Sequence, residues 1–519
     1  MKLKASDFIS KIVCALVACC FLWVAAWLFS GGYYEYSPLY LSVGTLAALA
    51  VTVLFWRLIG RREAFFKKYS RFITAGFLVF MLAAQIAFSF PLRYTPAYDI
   101  DALFGGASEW VNTGSFPTYY EYFAMFHNNF GGLVLFRVWF ALVKLSGTTD
   151  FFFAACLLNS LLSLATIALT ASSAERLFGI RGRMTALFLF FISLPFYFIA
   201  PAFYTDALTM VFPALIFRAW LLARDKENRL QKLACFVLMG FACAIGCGIK
   251  ATVVIMLIAV VIEGMLYSDW KTRLPLAAIA AALTLVVMLA VTAVIHHHIG
   301  EEQARKKRMP LTHWIMMGLA NWGGYNGADY EFTKSFEDPD ERAEAVAERI
   351  KERVNALGVG GLFKLWGNKL DLVWNDGTYG LSDCLGCPHE QDNFLHSFLL
   401  KNDNVQREVY KHLCTAVLAA MYLLLIASCV SDAFFKGTTL RILAPRLALL
   451  GVFVFFLLWE ARWRYFSNFV PVIMLCALTG LESVHANLAA KKARNSEKTE
   501  EGAPLGGEGE TEPVAPTAD

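Results

Sequence analysis

The chain has 519 residues, 57% of them hydrophobic and only 17% charged, with a mean hydropathy of +0.51. Those proportions exclude an ordinary water-soluble domain, and a formal net charge of +4 leaves no basic excess that would call for a nucleic-acid partner. What remains is an all-α polytopic membrane protein with the lipid bilayer as its first partner.

Crossing a bilayer takes roughly 20 mostly apolar residues whose backbone groups are satisfied within the segment, and about twelve stretches qualify. In chain order, basic Met1–Lys11 precedes the span Ile12–Ser30, which lacks a small-residue cleavage site and reads as an uncleaved anchor. Gly31–Pro38, without Lys or Arg, leads into Leu39–Arg57, then basic Arg57–Arg71, then Phe72–Phe90, making residues 1–90 an N-terminal membrane unit. Short basic loops stay cytoplasmic, so both basic patches are placed inside and Gly31–Pro38 outside.

Residues 91–147 form a first outer loop. It opens on Tyr98-Asp99-Ile100-Asp101, two carboxylates at a membrane exit. Residue type leaves Asp99 and Asp101 open between a general base for a hydroxyl proton and an N-capping pair for a helix over Ala102–Val111. The run Tyr119–Phe126, followed by His127, Asn128 and Asn129, suits sugar faces or an isoprenoid chain, although an interfacial aromatic belt needs no ligand. Gly132–Leu145 carries Arg137 and Lys144 and is too short to cross, which predicts an interfacial helix.

Residues 148–295 hold the spans Phe151–Ala171, Met184–Ala200, Asp206–Leu222, Leu233–Gly248, Ala251–Tyr267 and Leu274–Ile295. Basic Glu175–Arg183 and Arg224–Lys232 fall inside, and Pro201–Thr205 falls outside. Tyr204-Thr205-Asp206 places a third carboxylate at a span end, where it needs hydration or a partner unless it caps the helix. Lys250 sits at the tip of a tight hairpin, able to meet a phosphate or to snorkel to headgroups.

Residues 296–411 form the large outer loop. His296–His298 reads as a polar cluster at a helix exit, with metal binding the lesser alternative. Arg305–Arg308 is Arg-Lys-Lys-Arg placed outside, which a loop of this length permits. Asp338-Pro339 caps a predicted amphipathic helix with Ala343, Val346, Ile350, Val354 and Leu357 on one face, ending near Gly358. A second helical stretch, Leu362–Trp374, carries Lys364 and Lys369 and is expected on the membrane surface. Asp371, Asp376 and Asp383 are expected to face solvent, with lining an acceptor groove the lesser alternative. Cys384 and Cys387 form a C-x-x-C without two further zinc ligands, so a local disulfide or two free thiols is expected.

Residues 412–487 contribute the spans His412–Val430, Ala444–Trp459 and Ser467–Val484, with basic Lys436–Arg446 inside. The last outer turn, Glu460-Ala461-Arg462-Trp463-Arg464-Tyr465, sets two arginines beside a carboxylate, either a clamp for phosphate oxygens or a headgroup anchor. Residues 488–519, rich in Glu, Gly and Pro, are expected to be a disordered cytoplasmic tail, which puts both termini inside.

From Phe72 to Val484 the chain resembles the GT-C superfamily of membrane glycosyltransferases, and within it the bacterial branches related to protein mannosyltransferases and aminoarabinose transferases. The matches are Asp99 eight residues before Ala107 with Gly114 beyond, the run ending Phe126-His127-Asn128-Asn129, the interfacial helix, Tyr204-Thr205-Asp206, Lys250 in its hairpin, and Glu460-x-Arg462-x-Arg464-Tyr465. The first two spans are additional to that pattern, and His127 stands where it has proline.

The resemblance implies a GT-C-like bundle with two outer-face loops in the plasma membrane and a site on the extracytoplasmic face. It implies transfer of a sugar, with inversion, from a polyprenyl-phosphate donor to a hydroxyl of a glycan, lipid or protein. Asp99 and then Asp101 are implied as the base. Asp206, Tyr204, His127, Asn128 and Asn129 are implied to shape the acceptor side, and Arg462, Arg464, Lys250 and Tyr465 to hold the lipid phosphate. No cofactor is required, and a divalent metal stays open. The rival readings are a lipid-linked oligosaccharide polymerase or ligase, which shares these features, and a transporter or flippase, which would place ionisable residues near the midplane and show repeats.

Overall fold

A computed structural model describes residues 2–267, 270–386, 393–401, 404–434 and 442–501. Among these the chain is helical, without a β-strand. The long helices are α1 Lys2–Phe29, α2 Pro38–Arg61, α3 Glu63–Ser89, α4 Tyr98–Thr113, α5 Phe130–Lys144, α6 Phe151–Ile192, α7 Val211–Asp225, α8 Arg229–Ile249, α9 Val254–Tyr267, α10 Trp270–Ile299, α11 Pro339–Trp374, α12 Val405–Phe434, α13 Leu443–Leu458 and α14 Val470–Glu501.

Nine helical segments among the described residues are long and apolar enough to cross a membrane, and Ala251–Tyr267 and Leu443–Leu458 are shorter apolar ones. The 42-residue α6 is two segments joined at Gly179, whose φ of 68° breaks the helix. Each of the twelve apolar stretches expected from the sequence therefore overlaps a helix, although Met184–Ala200 is α-helical only as far as Ile192. The two N-terminal spans, expected as an added hairpin, barely touch each other and instead pack on α12.

The predicted interfacial helix is α5, and it is seated by glycine. A Cβ on Gly131 would lie 1.9 Å from the Gly248 carbonyl oxygen, and one on Gly132 would lie 2.5 Å from Leu103. These bare positions let α5 press against both α4 and the hairpin that carries Lys250. Phe123, Phe130, Phe136 and Phe140 close a separate aromatic core there, each fully buried. Such burial contributes roughly 1.5–3 kcal/mol per ring, which makes the loop region a packed platform.

Helix α11 starts as expected, with the Asp338 carboxylate accepting from the Asp340 and Glu341 amides at 2.8 and 3.1 Å. It breaks at Gly358, with φ 57°. Its second half does not lie on the membrane surface. Leu365, Gly367 and every residue from Lys369 to Trp374 are buried, with Gly367 against the Trp27 indole. Burial of Lys369 is tolerable because its ammonium donates to two backbone carbonyls.

Asp371 and Asp376, expected in solvent, are 1% and 4% exposed. Asp371 accepts from the Tyr33 amide and Asn375, and Asp376 from the Thr378 and Gly380 amides and the Thr378 hydroxyl. Both fasten loops. The Asp383 side chain, Cys387 and part of the basic stretch 436–446 lie outside the described residues. The tail also differs, because α14 continues to Glu501 through a Lys-, Glu- and Ala-rich stretch of strong helix formers. Residues 502–519 are not among those described.

Candidate active site

Asp99 and Asp101 lie in the first turn of α4, yet neither caps it. Ala97 holds the cap position and no side chain bonds there, so the capping alternative is removed. Tyr98, at φ 55° and 91% exposed, turns the chain just before Asp99. Asp99 Oδ1 accepts from the Tyr122 hydroxyl at 2.8 Å and Oδ2 from the Tyr204 hydroxyl at 3.1 Å. Tyr122 in turn accepts from the Asn129 amide. Burial and the Asp99 charge push the Tyr122 phenol well above its usual range, so it stays a donor.

Asp101 faces elsewhere. It accepts from the Tyr119 hydroxyl at 3.0 Å, and burial raises its pKa. The two carboxylates are therefore not equivalent, as two positions apart on a helix point in different directions.

The opposite wall is the turn after α13. Arg462 Nε lies 3.3 Å from Glu460 Oε1, and the Tyr465 hydroxyl lies 3.4 Å from Glu460 Oε2. Burial pushes the Glu460 carboxyl up while Arg462 and Arg464 oppose the shift. Arg464 Nε is 3.2 Å from Asp206 Oδ2, and Lys250 is ion-paired to Asp206 Oδ1. The Arg464 guanidinium also stacks 4.7 Å from the Tyr204 ring and 5.1 Å from Tyr465. Gly380, at φ +72°, permits this packing, since a Cβ there would lie 2.3 Å from that of Arg464.

Between the walls is a cavity of about 440 Å³. Of the residues expected from sequence, it brings together Asp99, Asn128, Asn129, Tyr204, Arg462, Arg464 and Tyr465. Asp101 and His127 do not line it. The His127 imidazole is held near pKa 4, by burial first and then by Arg308 and His296. Asp206 and Lys250 also stand outside, behind Arg464 and Tyr465, so Lys250 meets a carboxylate where a phosphate or headgroup was expected. Asp206 does not cap its helix either.

Tyr122 and Glu460 stand in the sequence motifs without a role of their own there, and Trp314, Tyr325 and Tyr330 of the large loop, all cavity-lining, belong to no sequence motif. The first two had a signal, a phenol in the aromatic run and a carboxylate two residues before an arginine. The other three had none, because loop residues reach a site only through the fold. Cys384 also lines the cavity. No group of three or more His, Cys, Asp or Glu among the described residues could hold a metal. His298 instead packs against Trp110, with ring centroids 4.7 Å apart.

Nine apolar helices long enough to cross a bilayer among the described residues define an integral membrane protein, and the cavity is lined by the segments between them. Residues 37–485 match the family model described as conserved hypothetical integral membrane protein, and the chain belongs to that family. A comparison with curated proteins finds no match. Among solved structures, the chain is similar to the crystal structure of ArnT from Cupriavidus metallidurans bound to undecaprenyl phosphate, at 14% identity and a TM-score of 0.35, covering 79% of this chain and 77% of that one.

Proposed function

We propose that the chain is a glycosyltransferase that moves a sugar from a polyprenyl-phosphate donor to a hydroxyl acceptor on the extracytoplasmic face of the membrane. The observation that carries this reading is Asp99, fixed by two tyrosine hydroxyls, in one cavity with Arg462 and Arg464. The distribution of Lys and Arg among short loops supports the sidedness. A volume of about 440 Å³ lies within the range of small-molecule sites and suits one sugar with its phosphate better than an oligosaccharide.

In this mechanism Asp99 takes the acceptor hydroxyl proton as the oxygen attacks the anomeric carbon. The bond from that carbon to the phosphate oxygen breaks, and its electron pair leaves with the lipid phosphate. One displacement inverts the anomeric centre. The leaving phosphate gains charge in the transition state, where fixed guanidinium groups act more strongly than in the ground state. Asp206 holds Arg464 and Lys250 in place, and Tyr204 joins the two halves of the site.

The test is transfer by purified protein in lipid, with a panel of polyprenyl-phosphate monosaccharides, comparing wild type with Asp99→Asn. Turnover of one donor that is lost in the folded variant supports both the enzyme class and the base. Turnover that survives moves the base to another carboxylate. Binding of polyprenyl phosphate without turnover of any monosaccharide donor favours the polymerase or flippase alternatives.

A further inference from the structure

The segment from Thr312 to Gly323 supplies the Trp314 side of the cavity and is fastened to the arginine turn at several points. The Glu460 amide donates to the Trp314 carbonyl at 3.0 Å and the Ala461 amide to the Gly323 carbonyl at 2.8 Å. The Trp314 and Trp459 rings stack at 5.5 Å, with planes 9° apart. Gly318 lies so close to the turn that a Cβ would stand 2.9 Å from the Glu460 nitrogen. Behind this contact sits Lys369 of α11, 1% exposed. Its ammonium donates to Gly318 O at 3.2 Å and Leu457 O at 2.8 Å, one carbonyl on each side of the junction.

We propose that Lys369 is a positioning residue, pinning the Thr312–Gly323 wall to the turn that carries Glu460 and Arg462 and so setting the width of the cavity. The inference rests on reading this cavity as the active site. A buried lysine is costly, and few side chains can donate to two carbonyls of separate segments at once. Gly323 belongs to the same device. Its φ is +81°, and a Cβ there would lie 2.4 Å from Lys369 Cγ. Burial lowers the Lys369 pKa to about 7, with the Glu460 charge opposing the shift. Lys369 reaches no cavity surface, so it acts only through the two segments it joins.

The experiment compares amide hydrogen exchange and transfer kinetics in the full chain for Lys369→Met, for Gly323→Ala, which keeps the lysine but crowds it, and for Leu370→Ala. The last trims the neighbouring buried leucine and serves as a control matched for lost melting temperature. In both clasp variants, amides of 314–323 and of Glu460 and Ala461 should exchange about tenfold faster or more. Donor KM should rise, and the first residues of α11 should exchange as in wild type. Leu370→Ala should show none of this local change. Unaltered exchange at the junction in Lys369→Met, or an equal rise in Leu370→Ala, overturns the proposal. If wild type transfers no sugar from any donor, the active-site reading fails while the exchange data still decide the clasp.

Discussion

The Arg464 guanidinium rests 4.7 Å from the centre of the Tyr204 ring, whose hydroxyl donates to Asp99. A cation from the turn after α13 and an acid from the first turn of α4 are thus held by one side chain from a third segment. Tyr204→Phe keeps the stacking and removes the hydrogen bond, and Tyr122→Phe removes the other donor to Asp99. Each should lower kcat/KM for sugar transfer by roughly tenfold or more and also lower the melting temperature, because a buried bond to a charged group contributes about 1.5–3 kcal/mol to stability. Wild-type rates in both variants would separate Asp99 orientation from catalysis.

Asp206 pairs with two cations at once, and its side chain is 4% exposed. Asp206→Asn should cost about 3–5 kcal/mol, since Lys250 and Arg464 would be left buried without their counter-charge. Adding Lys250→Met should recover part of the loss. Thermal unfolding in detergent of the two single variants and the double variant measures that coupling, and additive losses would show that the pair is not linked.

Glu460 is paired with Arg462, so in the proposed reaction it competes with the donor phosphate for that guanidinium. Glu460→Gln should therefore lower donor KM. In the wild type, donor binding should tighten as pH falls through the raised Glu460 pKa, because the protonated carboxyl no longer holds Arg462 as an ion pair. The variant should lack that dependence. Binding isotherms with a polyprenyl phosphate at several pH values check both statements.

Arg464→Ala is expected to lower kcat more than it raises donor KM, since the leaving phosphate gains charge only as the bond breaks. An unchanged kcat with only a raised KM would remove Arg464 from transition-state stabilisation.

His313, 1% exposed and bonded to the Thr333 hydroxyl at 2.8 Å, is held near pKa 4 by burial. Its folded pKa lies below the unfolded value of about 6.5, so between those values the unfolded chain binds a proton that the folded chain does not. Stability should fall as pH drops from about 6.5 toward 4, by on the order of 3 kcal/mol from this residue. His313→Asn should flatten that part of the stability curve.

Helices were legible because the bilayer imposes a length and an apolarity that survive in any single segment. The break at Gly358 is the helix end predicted by the Asp338 cap and the 3.6-residue spacing after it, while the structure narrows the break between two predicted spans to Gly179. For the site, residue type and order along the chain pointed to Asp99, Tyr204, Arg462 and Arg464 before any geometry was known. They could not separate Asp99 from Asp101. Both have the same chemistry, and only the direction of each side chain on α4 turns one toward Tyr122 and Tyr204 and the other toward Tyr119.

Sequence by itself determined a helical membrane protein with its acidic and basic motifs at span ends, because hydrophobicity and charge act locally on each stretch. Tertiary structure alone decided that Asp206 faces Lys250 and Arg464, that Lys369 leaves the surface for two carbonyls, and that Asp371 and Asp376 are buried. A charged side chain accepts burial only where a partner of matching geometry waits; Asp206, Lys369 and Asp371 find one in segments far away in the chain, and Asp376 in Thr378 and Gly380 beside it.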